Sequence, residues 1–135
     1  MTHGGYEKRV LEDGVVVCTV ASSDHEAMEA WFNDVGEVLT QAREQGKPAR
    51  LMYDVRNLGL LSAYKVQRFD AMEKRVEDQE QRQLPSDWRV ATVVGNPFIA
   101  NLVNYFISVS VLPEMRHRSR VFANEMEALA WLRGP

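Results

Sequence analysis

Cysteine is almost absent: Cys18 is the single one in the chain, so no internal disulfide and no multi-cysteine metal site can form. It lies inside Val15-Val16-Val17-Cys18-Thr19-Val20, a strand-like run where a small buried residue and a reactive thiol are the two readings open. Histidine is scarce as well. His3, His25 and His117 stand far apart, with no HxH or HxxxH spacing for a metal. No apolar run reaches the roughly 18 residues needed to span a bilayer, and Met1-Thr2-His3-Gly4-Gly5 has neither the basic segment nor the apolar stretch of a secretory signal. A cytoplasmic protein is the expectation. The formal net charge of −3 supplies no basic excess to displace counterions from phosphates, so nucleic acid is not an expected partner. Gly46-Lys47 lacks the upstream glycine and downstream Ser or Thr of a phosphate loop. No nucleophile stands with a base, and no two carboxylates share an apolar setting. The chain is therefore expected to be no enzyme and to use no cofactor and no metal.

What is present is a globular balance, 45% hydrophobic and 26% charged residues in 135, which fits one domain over residues 1–135. Tyr6 to Leu11, then Asp13-Gly14, then Val15 to Val20 predict a β-hairpin around a tight turn. Ser23 with Glu26 forms a capping-box signature, and Ala27, Met28, Trp31, Phe32, Val35, Val38, Leu39 and Ala42 recur at helical spacing up to a stop at Gly46. Ala49 to Val55 follows as a strand, reached through one helix and so expected to lie parallel to the hairpin's second strand. Leu61 to Gln83 predicts a second helix whose run of acidic and basic residues, Glu73 to Arg82, reads as a solvated face.

Trp88 to Val94 is the next strand, and Asn96-Pro97 opens a third helix with a capping residue followed by proline at the first helical position. From Phe98 to Leu112 that helix is apolar almost all round and must be covered by something. Arg118 to Phe122 supplies a last strand, and Asn124 with Glu127 caps a helix from Glu125 to Leu132. The order ββαβαβαβα predicts an α/β fold with a single mixed, mainly parallel sheet and helices packed on it. Trp31, Trp88 and Trp131 fall on separate elements, as core or rim packing.

This order resembles the SpoIIAA-like branch of the STAS superfamily, related in fold to anti-sigma-factor antagonists and discussed alongside the CRAL-TRIO lipid carriers. The residues that carry the resemblance are the hairpin onset, Leu51-Met52-Tyr53-Asp54-Val55-Arg56, and Arg120-Val121-Phe122-Ala123-Asn124-Glu125 followed by Ala128-Leu129-Ala130-Trp131-Leu132. It covers nearly the whole chain and marks a fold more strongly than an activity. In anti-sigma-factor antagonists a D-S-x-G segment carries a phosphorylated serine. Here the stretch reads Leu60-Leu61-Ser62-Ala63-Tyr64, so Ala63 stands at the serine position, Ser62 at the aspartate, and the glycine is missing. A phosphate on Ser62 beside a helix N-terminus stays open. The resemblance further implies a dimer, membrane association or an apolar ligand.

Several residues are candidate contacts. Asp54 and Arg56 end a strand where open α/β sheets place ligands, although an Asp there also caps turns and an Arg pairs locally. Asn101, Asn104 and Ser108 form a polar stripe on the third helix. That stripe either faces solvent or, with Tyr105 and Phe106 beside it and Ser62 and Tyr64 on the second helix, lines a pocket or a symmetric contact. Arg116, His117, Arg118 and Arg120 follow the apolar helix, as a contact for an anionic surface or as a solvated approach to an edge strand. The leading expectation is a non-catalytic binding or regulatory module acting through a protein partner or a homodimer. The alternative is a carrier or sensor of a lipid-like apolar molecule, held between the second and third helices, at a membrane surface.

Overall fold

The computed structural model describes residues 2–3, 5–22, 24–58, 87–108 and 118–134. The hairpin forms as β2 (Tyr6–Val10) and β3 (Val16–Val20), antiparallel with Val10 opposite Val16. Its loop closes as Gly14 donates to the Leu11 carbonyl at 3.0 Å with φ of 89°, a left-handed value that glycine adopts without strain. A strand absent from the sequence reading, β1 (Thr2–His3), pairs with Glu7 and Tyr6 of β2. Two residues leave no periodicity to read. Gly5 makes the return possible: its φ is 94°, and a Cβ there would meet the Ser22 Cβ at 2.5 Å.

Helix α1 (His25–Gln45) begins at Asp24 rather than at Ser23, and the Asp24 side chain makes no capping bond. Ser22 instead accepts from the Asp24 amide at 3.1 Å. The helix stops where predicted. Gly46 turns left-handed (φ 65°), its amide donates to the Arg43 carbonyl, and Lys47 donates back to Ala42 at 2.9 Å, the paired bonds of a Schellman end. Then come β4 (Ala49–Asp54), a 3₁₀ turn (Arg56–Leu58), β5 (Trp88–Val93), α2 (Pro97–Ser108), β6 (Ser119–Phe122) and α3 (Glu125–Arg133). The second predicted helix lies outside the described residues, as does the stretch 109–112 of the third.

The strands form one mixed sheet in the order β1-β2-β3-β4-β5-β6, in which the pairs β3–β4, β4–β5 and β5–β6 are parallel and β1–β2 and β2–β3 antiparallel. Right-handed crossovers that advance in one direction leave their helices on one face. Accordingly α1 and α2 share a face, where Ala27, Trp31 and Ala100 join Tyr6, Cys18, Leu51, Tyr53 and Val90 in one core. Trp31 meets the Tyr53 ring edge-on at 5.1 Å. After β6 the sheet adds no further strand among the described residues, and α3 crosses to the other face. There Ala128 and Leu132 pack on Val17, Met52, Ala91 and Val93. Two arginines fasten its end: Arg50 Nε donates to the Leu132 carbonyl at 3.0 Å, and Arg89 to Trp131 and Gly134, each at 3.1 Å. These carbonyls have no partner within the helix, so the arginines satisfy its C-terminus.

Candidate functional site at the carboxyl edge of the parallel strands

Asp54, Val93 and Phe122 stand side by side in register, closing β4, β5 and β6 on one line. Beyond it Val55 donates to Val93 at 3.0 Å and Val94 to Phe122 at 2.8 Å, so the strands leave the sheet together. Three connections start there: the 3₁₀ turn, α2 after Asn96 and α3 after Asn124.

Asp54 is buried, 8% exposed, the one buried charged residue described. Its Oδ1 accepts from the Arg56 amide (3.2 Å) and Nε (2.9 Å), and its Oδ2 from the same guanidinium at 2.7 Å. The same nitrogen, Arg56 Nη2, also lies 3.4 Å from Glu125 Oε2 on the first turn of α3. Burial pushes the Asp54 carboxyl up, but the Arg56 guanidinium and amide outweigh it and hold the group below the usual carboxylate range. The same pairing with Asp54 raises the Arg56 guanidinium. Asp54 is thus an ionised acceptor at neutral pH whose two oxygens are bound by Arg56, and through Arg56 it links β4 to α3.

The two helices that begin at this edge present apolar side chains to solvent. Asn96 Oδ1 accepts from the Phe98 amide at 2.8 Å, and Asn124 Oδ1 from the Met126 amide at 2.8 Å and from Glu127 at 3.3 Å. The same cap places Phe98 and Met126 two residues past each asparagine, and they are 72% and 79% exposed. No family model, curated protein or solved structure matches this chain.

The other candidates separate. Asn101 is exposed, whereas Asn104 is half-buried and bonded to the Val121 backbone. Tyr105, Phe106 and Ser108 continue α2, but their side chains fall outside what is described, and Ser62, Tyr64, Arg116 and His117 lie outside the described residues altogether. Arg118 lies over the Trp88 ring at 5.2 Å and Arg120 over the Phe122 ring at 5.4 Å. Among the described residues no three His, Cys, Asp or Glu side chains are arranged to hold a metal, and no helix is long and apolar enough to cross a membrane.

Sequence reasoning missed three features. The Asn-x-apolar pattern shared by Asn96-Pro97-Phe98 and Asn124-Glu125-Met126 was a readable signal for the exposed pair. Glu125 could not be joined to Arg56 without knowing that α3 starts beside β4. Beneath α1, the Tyr6 hydroxyl donates to Asp34 at 2.6 Å with Cys18 Sγ 3.5 Å away. Burial, then the bond to Asp34, raises the phenol, and burial pushes the Cys18 thiol up to about 11.

Proposed function

We propose that this chain is a non-catalytic binding module that pairs with a second copy of itself through the carboxyl edge of its parallel strands. The observation that carries the reading is the exposure of Phe98 and Met126, at 72% and 79%, on the first turns of two helices leaving that edge. Large apolar side chains exposed to water at one edge of a sheet favour burial against another protein surface. A two-fold arrangement covers both with the same patch. The neighbouring Arg56–Asp54–Glu125 cluster gives the patch a polar border, as protein interfaces have. The SpoIIAA-like resemblance belongs to the same proposal, supported by an antiparallel hairpin, parallel strand pairs of which β3–β4 and β5–β6 are joined through α1 and α2, and the Asn124-capped last helix.

Light scattering over a concentration series tests the reading. The parent chain is expected to dimerise, and Phe98→Asp to weaken the dimer by at least about tenfold, as loss of a buried aromatic anchor does, while leaving the melting temperature of the dilute protein unchanged. A parent that stays monomeric throughout, or a variant that associates as the parent does, ends the reading.

A further inference from the structure

Among the described residues the sheet ends at β6, where Val90 pairs with Ser119 and Val93 with Phe122 on the inner side. Backbone groups alternate along a strand, and Phe122 directs its carbonyl inward to the Val94 amide at 2.8 Å. The amide and carbonyl of Val121 therefore point away from β5. Both are taken by one side chain: Asn104 Nδ2 donates to the Val121 carbonyl at 2.6 Å, and the Val121 amide donates to Asn104 Oδ1 at 2.8 Å. A carboxamide carries the donor and acceptor of a peptide group in similar geometry, so Asn104 reproduces the pair of bonds that a residue on a further strand would make.

From this geometry we infer that Asn104 closes the free edge of the sheet, an internal contact that keeps β6 from pairing with β6 of a second copy. The opposite end of the sheet uses other means. There β2 is partly covered by the two residues of β1 and carries Glu7, Lys8 and Arg9, and charge on an edge strand discourages pairing. By contrast β6 is four residues long with Val121 buried at its centre, so its backbone needs a partner. Helix α2 supplies that partner from within the chain. Without Asn104, the pairing left open at Val121 is sheet extension, antiparallel across a two-fold axis.

Hydrogen exchange at the Val121 amide, read together with mass by light scattering, tests this on the full chain. In the parent, Val121 exchange is slow and independent of concentration. In Asn104→Ala it is expected to be about five- to tenfold faster in dilute solution, the loss of one net hydrogen bond. It should slow again as concentration rises and the mass climbs above that of the parent. Asn104→Ser, which also loses the reach to Val121 but keeps a polar side chain, is expected to behave alike and serves if the alanine variant does not fold. Unchanged exchange in the folded variant overturns the inference, and so does faster exchange with no rise in mass. A rise in mass with Val121 still fast overturns it too, since association would then lie elsewhere. Adding Phe98→Asp to Asn104→Ala separates this inference from the proposed function, because pairing through β6 should survive it.

Discussion

At the scale of single residues, Asp54 is a buried charge held by a partner close in sequence. It sits where α/β sheets hold ligands, yet its oxygens are bound by Arg56 two residues on. That gives a pH signature. The Asp54 carboxyl is held below its ordinary value in the folded chain, so its contribution is present above the unfolded carboxylate value, near 4, and is lost as pH falls through the folded one. Arg56→Ala should cost about 1–2 kcal/mol at pH 7, because it leaves a buried carboxylate short of donors. The difference from the parent should shrink at low pH, as the Asp54 carboxylate takes up its proton. Asp13 and Asp87 are also held low, by Arg133 and Arg50, but they remain in both chains and cancel in the comparison. Urea denaturation at the two pH values measures it, and a difference that stays constant would mean that Arg56 acts through packing alone.

At the scale of elements, helix termini were the most legible features, with one start as the exception. Asn124 caps α3 as its spacing to Glu127 predicted, and Gly46 ends α1 with both reverse bonds. Ser23–Glu26 was a capping signature too, but the N-cap of α1 is Asp24, one residue on, and its side chain makes no capping bond. Asn124→Ala should therefore lower stability by about 1 kcal/mol, or roughly 3–5 °C in melting temperature for a domain of this size. Thermal unfolding followed by circular dichroism reads the shift directly. No shift would mean that the Arg50 and Arg89 bonds at the far end hold α3 without its cap.

At the scale of the whole molecule, Cys18 reports on the sheet. It is fully buried under α1 with its thiol pushed up to about 11 by burial, so the thiolate that reacts is scarce and enclosed. Labelling at pH 8 should be slow in the folded chain and give one thiol promptly in denaturant, with a rate in buffer that follows the opening of the fold. Labelling within seconds in buffer would show that α1 lifts from the sheet by itself. The sequence by itself determined the hairpin, the stop of α1 at Gly46, the caps at Asn96 and Asn124 and, to within one residue, the strands read as Ala49–Val55 and Trp88–Val94, since these follow from turn chemistry and from contacts a few residues apart. Only the tertiary structure decided that α1 and α2 share a face while α3 takes the other, that Glu125 meets Arg56, and that Asn104 serves the edge of β6. Each of these joins residues far apart in the chain, and side-chain periodicity records which way a residue points without recording what it will meet. The apolar helix that the sequence left without a cover is answered in part: Ala100 is buried on the sheet, Asn104 closes an edge, and Phe98 stands in water at the end where a partner is proposed.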